Sequence, residues 1–137
     1  MTAPATLSDA LEEYDFLEGD DRYRMLIELG EALEPMPEAL KTDQTLVPGC
    51  SSSVWVYPTD QNGKLSFLAD SNSALTKGII ALVLLTIRGR EPSEVAMLDI
   101  ADELKPFNLT KQLTSKRTQG IPNMIALIRE TAGRYSG

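Results

Sequence analysis

The sequence predicts an α+β domain in which a small antiparallel hairpin is covered by helices. Three observations predict it. Asn62-Gly63 stands between two strand-forming runs, residues 53–58 and 64–69, and this dipeptide favours a tight hairpin turn because both residues tolerate positive φ. Apolar residues recur at helical spacing on either side of the hairpin. No strand–helix–strand alternation is present, which argues against a doubly wound sheet. The 137 residues fit one domain spanning 1–137. A domain of this size buries roughly 68% of the surface its unfolded chain exposes, so its core requires neither metal nor disulfide.

Thr6 to Glu18 reads as a helix, with Leu7, Leu11, Tyr14 and Leu17 on one face and Gly19 as its stop. Asp20 or Asp21 caps a second helix through Leu33, whose apolar stripe is Tyr23, Leu26, Ile27, Gly30 and Leu33; Pro35 and Pro37 end it. Residues 34–49 form an irregular connection. In the hairpin, Val54 to Tyr57 favour the extended state, and Leu65, Phe67 and Ala69 alternate with Lys64, Ser66 and Leu68. Ser71 or Ser73 caps a third helix to about Ile87. It is apolar nearly all round, so both its faces are expected to be covered; Gly89 ends it. Pro92 opens a short helical piece through Ala96, Asp99 caps another through Leu104, and residues 108–113 add one turn. Thr118 caps the last helix, with Ile121, Met124, Ile125, Ile128, Ala132 and Tyr135 on one face and Pro122 in its first turn, where the missing donor costs little.

Composition excludes several functions. Histidine is absent, so no Ser-His or Cys-His couple exists and no imidazole ligates a metal. One cysteine, Cys50, permits neither an internal disulfide nor a cysteine-based metal site within one chain. The net charge is −7, with fourteen acids against four bases in residues 1–70 and six against nine in 71–137. Nucleic acid is therefore not an expected partner, since phosphate neutralisation needs a basic face. Nor is a membrane: the most apolar stretch, Ile79 to Leu85, has seven residues, whereas a span takes about 20. The first residues have no basic region followed by an apolar run, and with a free cysteine this points to the reducing cytoplasm.

Cys50 is the strongest nucleophile in the chain. Pro48-Gly49 before it and Ser51-Ser52-Ser53 after it place the thiol on a loop at the start of a strand. A Cys-x5-Arg phosphatase loop is excluded, because position 56 is valine. The remaining roles need one sulfur only: accepting a group from a partner and passing it on, sensing oxidants, or forming a mixed disulfide. A free cysteine is also commonly a small buried hydrophobe.

Gly49-Cys50-Ser51-Ser52-Ser53-Val54-Trp55 resembles the Gly-Cys-x-Ser-x-Val-Trp segment of SufE-type sulfur-acceptor proteins, CsdE-like members included. Residues 71–78, ending in Lys77-Gly78, resemble that family's helix-opening Ser-Asp-x-x-x-x-Lys-Gly segment. Residues 109–120 resemble its Leu-(Thr/Ser)-x-x-Arg-x-x-Gly segment, with Arg117 at the arginine. The match covers about residues 6–134. The resemblance implies an α+β fold like that of the IscU-type cluster scaffolds but without their ligand set. It implies that Cys50 accepts persulfide sulfur from a PLP-dependent cysteine desulfurase of the SufS or CsdA kind, stimulates that enzyme, and passes sulfur to an iron–sulfur scaffold. The PLP belongs to the partner, so no cofactor and no metal are expected here. Gly49, Ser52, Asp70, Asn72, Lys77 and Arg117 are the expected supporting or partner-binding residues. Arg117 would favour the thiolate or dock the partner, and Val54, Trp55 and residues 79–85 would line an apolar pocket for the resting thiol. The chain departs from the family pattern at Asn72, often aspartate, and at Gln112, often histidine. The alternatives are a redox-sensing or thiol enzyme using Cys50, and a non-catalytic regulatory interaction module.

Overall fold

The computed structural model describes residues 6–48, 53–61, 64–109 and 120–136. Helix α1 (Leu7–Phe16) is capped by Thr6, whose hydroxyl accepts from the Asp9 N–H at 3.1 Å. It stops short of the expected Glu18 because Leu17 is already extended. Gly19, with φ 54°, is the N-cap of α2 (Asp20–Glu31) as well as the break after α1. Asp20 and Asp21 therefore fall in the first turn, where carboxylates complement the helix dipole. Arg22 ties the two helices together. Its Nε donates to the Leu17 carbonyl at 2.6 Å, and its guanidinium lies 4.7 Å from the Tyr14 ring centroid. Tyr14 in turn packs on Phe107, with ring centroids 5.1 Å apart.

The buried face of α2 is Met25, Leu26, Leu29 and Gly30. Tyr23, expected on that face, is 45% exposed, while Ile27 and Leu33 are half-buried. The face is set by how closely the next long helix, α3 (Ala74–Ile87), approaches. A Cβ on Gly30 would lie 2.7 Å from the Gly78 backbone nitrogen and 2.8 Å from Lys77 Cβ, and one on Gly78 would overlap the Leu26 carbonyl. Glycine at both positions lets the two backbones touch. The connection after α2 contains a short 3-10 turn, Glu38–Leu40.

Strands β1 (Val54–Gln61) and β2 (Lys64–Ser71) pair antiparallel from Val54↔Ser71 to Gln61↔Lys64. Both run past the expected 58 and 69, because the polar residues at each end still complete the ladder. The Asn62-Gly63 turn lies outside the described residues. Alternation holds along β2: Leu65, Phe67, Ala69 and Ser71 are buried. Opposite them Val54 and Val56 are buried too.

Ser73 caps α3, its hydroxyl accepting from the Thr76 N–H at 3.3 Å. Ile79, Ile80, Leu82 and Val83 are all fully buried, as an all-round apolar helix requires. Gly89, at φ 76°, follows the helix. Beyond it come α4 (Pro92–Met97), with a Glu91/Glu94 capping box, and α5 (Ile100–Glu103), capped by Asp99. A 3-10 turn at Lys105–Phe107, unforeseen in the sequence, places Phe107 fully in the core. The expected turn at 108–113 runs beyond the described residues after Leu109, and the Thr118 cap lies outside them.

The last helix, α6 (Gly120–Ser136), buries Ile121, Met124, Ile128 and Ala132 completely. Ile125 is half-buried, and Tyr135 is 59% exposed rather than on the core face. Tyr135 lies near the end of the helix, beyond the last buried residue Ala132. Arg129 Nη2 donates to the Ala96 carbonyl of α4 at 3.4 Å. One apolar cluster joins α1, α2, both strands, α3 and α6. No helix among the described residues is long and apolar enough to cross a membrane.

Candidate functional site

The segment before β1 is paired with it. The Val47 N–H donates to the Val54 carbonyl at 2.7 Å, and the Val56 N–H donates to the Thr45 carbonyl at 2.9 Å, with Leu46 opposite Trp55 between them. The chain thus leaves the sheet at Val47-Pro48 and rejoins it at Ser53-Val54. Cys50 lies in the sequence between these ends, and with Gly49, Ser52, Arg117 and Gln112 it lies outside the described residues.

Both ends of that stretch are held by asparagines. Asn72 Oδ1 accepts from the Ser53 N–H at 3.1 Å. The family's aspartate carries the same acceptor atom, so this bond survives the departure at position 72. At the other end, Asn123 Nδ2 donates to the Pro48 carbonyl at 2.7 Å. The sequence reading missed Asn123, and no local signal marks it: it is an exposed helix residue whose partner is 75 residues away.

Beside this end of the sheet stands a cluster of charges. Asp70, across the ladder from Trp55, binds Lys41 Nζ through Oδ2 at 2.6 Å and Lys77 Nζ through Oδ1 at 3.5 Å. Its Oδ1 also accepts from the Ser71 N–H at 2.7 Å. Lys41 reaches Glu38 at 2.9 Å and sits 5.6 Å from the Trp55 ring centroid. The structure brings Asp70 and Lys77, which the sequence named separately, into one ion pair, so Lys77 is not a free surface charge. Lys41 was missed because it joins the cluster only through tertiary folding of the irregular connection. Burial pushes the Asp70 carboxyl up, but the Lys41 hydrogen bond, the Ser71 amide and the Lys77 charge outweigh it and hold the carboxyl below its ordinary value. Lys41 is held above the ordinary lysine value by its hydrogen bonds to Asp70 and then Glu38.

A carboxyl with a depressed pKa stabilises the fold above its unfolded-state pKa and loses that contribution as pH falls through the folded-state value. Asp70→Asn is therefore expected to cost about 2 kcal/mol at neutral pH. The deficit should shrink as pH falls into the carboxylate range. Urea unfolding of both proteins from neutral to acid pH checks this; a deficit independent of pH would refute it.

One expected grouping is corrected. Val54 faces the core, but Trp55, the next residue, lies on the opposite side of the strand with Lys41 over its ring. Val54 and Trp55 therefore do not line a common pocket with residues 79–85. Among the described residues, no group of three or more acids or cysteines is placed to hold a metal ion.

The described residues form an α+β domain built on a two-stranded sheet, and the chain's one cysteine lies in the sequence between Pro48 and Ser53, each held by a side-chain hydrogen bond. The chain belongs to the SufE family: the model of the SufE Fe-S metabolism associated domain matches residues 8–132. An uncharacterised SufE-like protein of Rhizobium etli is 36% identical over 133 residues, covering 93% of this chain and 90% of that protein. The cysteine desulfuration protein SufE of Wigglesworthia glossinidia brevipalpis is 33% identical over 114 residues, covering 82% of this chain and 79% of its own. The solution structure of a hypothetical protein from Thermus thermophilus shares the fold, with a TM-score of 0.75, 18% identity and 98% coverage of each chain. Family membership assigns the chain a sulfur-transfer role in iron–sulfur metabolism.

Proposed function

We propose that Cys50 accepts persulfide sulfur from a PLP-dependent cysteine desulfurase, that docking raises the desulfurase's turnover, and that the sulfur then passes to an iron–sulfur assembly scaffold. The observation that carries this reading is that the sole thiol of a SufE-family chain lies in the short stretch of sequence between two anchored residues, Pro48 and Ser53. The relative from Wigglesworthia, by its name a cysteine desulfuration protein, supports it.

The chemistry needs one sulfur. The Cys50 thiol loses its proton, and the thiolate attacks the outer sulfur of a persulfide on the partner's cysteine. A new S–S bond forms on Cys50 while the partner's S–S bond breaks. The partner's cysteine leaves as a thiolate and takes up a proton, so no external oxidant or reductant is used. Arg117 is proposed to favour the Cys50 thiolate or to contact the partner. Gly49 and Ser52 flank the nucleophile; Asp70, Asn72 and Lys77 support the sheet end beside it. The PLP resides on the desulfurase and the acceptor carries no cofactor. The thiol must be reduced to act, which fits a reducing compartment such as the cytoplasm.

The test is to incubate the protein with a cysteine desulfurase and L-cysteine, then take intact masses without reductant and follow desulfurase turnover. The expected result is a gain of one sulfur, reversed by reductant, with faster turnover. Faster turnover without sulfur gain would make the protein an allosteric activator instead. Neither effect across several desulfurases would end the carrier reading.

A further inference from the structure

Pro48 and Ser53 flank residues 49–52, and their two side-chain bonds come from different parts of the chain, Asn72 and Asn123. Asn72 stands just before α3, and its N–H also reaches the Ser53 carbonyl at 3.4 Å, so the ladder itself helps to hold that end. Pro48 is different. Proline has no N–H, so its carbonyl is its sole backbone hydrogen-bonding group. Asn123 of α6 takes that carbonyl at 2.7 Å. We infer that Asn123 is a positioning residue for sulfur transfer: by holding the Pro48 carbonyl it fixes the described end of the chain that leads in sequence to Cys50, and losing that hold slows sulfur gain. This rests on the reading of Cys50 as the acceptor. Asn123 touches neither sulfur; it acts through Pro48.

The bond is exposed, so its removal should barely affect global stability while changing the placement of the segment. Asn123→Ala removes the donor. Asn123→Asp also removes it and sets a carboxylate against the carbonyl oxygen. Ala126→Glu, at an exposed position on the same helix, adds the same charge without touching Pro48. Three quantities are measured for each protein: the rate of Cys50 alkylation by iodoacetamide, the rate of sulfur gain from a desulfurase, and the thermal midpoint.

Both Asn123 variants are expected to gain sulfur roughly fivefold slower and to alkylate at a rate that differs from wild type by a similar factor, the population change that losing one hydrogen bond of about 1 kcal/mol produces. Their midpoints should stay near wild type, and Ala126→Glu should match wild type in both rates. Alkylation and transfer rates unchanged in the Asn123 variants, or changes that Ala126→Glu reproduces, would overturn the inference. A purely structural role would lower the midpoint without changing alkylation, and that too would overturn it. If wild type gains no sulfur, the carrier reading fails, whereas the alkylation comparison still decides whether Asn123 holds the segment.

Discussion

Cys50→Ser is expected to abolish sulfur gain completely while leaving the fold intact. The chain has one thiol, so no second residue can take over as acceptor. A serine hydroxyl is nearly the same size but does not ionise near neutral pH, and the thiolate is the nucleophile in exchange at sulfur. The buried core of the described residues draws on all six helices and both strands, and exchanging one sulfur for one oxygen changes side-chain volume little. The thermal midpoint should therefore remain within a few degrees of wild type, and intact mass with a circular dichroism melt checks both halves of the expectation. Sulfur gained by the serine variant would refute Cys50 as the acceptor. A variant that unfolds or aggregates would show that the cysteine is a packed core group. Rapid conversion of wild-type Cys50 to sulfenic acid by peroxide, without any transfer from a desulfurase, would favour the sensor reading instead.

Gly78→Ala is expected to be more destabilising than the same methyl addition at Gly30 or Gly133. Its new Cβ would overlap the backbone carbonyl of Leu26, which no side-chain rotation can relieve. The helices α2 and α3 must then move apart along a fully buried seam. Overpacking against backbone should cost about 3 kcal/mol, or roughly 10 °C in midpoint for a domain of this size. Gly30→Ala meets the Gly78 nitrogen and Lys77 Cβ in the same seam, at 2.7 and 2.8 Å. Once the helices have separated for one methyl, the second fits more easily, so the double variant should lose less than the sum of the singles. Thermal and urea unfolding of all three variants measure this. A Gly78→Ala midpoint within about 2 °C of wild type would show that the seam is looser than described. Because Lys77 precedes Gly78, the same displacement should also disturb the ion pair with Asp70.

What the sequence made legible was local. The strand pair, the Asp99 cap, a serine cap at 71 or 73 (Ser73 in the structure) and the all-round apolar helix each follow from residues within a few positions of one another, and each is present. The tyrosines misled, because an amphipathic ring at helical spacing looks like core whether or not a neighbour covers it. Tyr14 is buried against Phe107, while Tyr23 and Tyr135 face water. The break at Gly19 was legible as a stop but not as a cap, which shows only in the Arg22 and Tyr23 N–H groups that its carbonyl accepts from. Around the candidate site, Asn72 and Lys77 were named through the family resemblance of residues 71–78, and Asp70 through its place just before them. Lys41 and Asn123 were not, because their significance arises when distant stretches fold onto β1 and β2. Cys50 itself stood out through elimination: with no histidine and one thiol, few chemistries remain.

Trp55 is the only tryptophan of the chain. It stands five positions after Cys50, on the outer side of the sheet, with an ammonium group 5.6 Å from its ring. Indole emission depends on nearby charge and on water, so the native protein carries its own optical probe at the end of the sheet where sulfur is expected to arrive. Docking of a partner, loading of the thiol or loss of Lys41 should each shift that emission, and stopped-flow fluorescence then times the encounter separately from the chemistry, with no label attached.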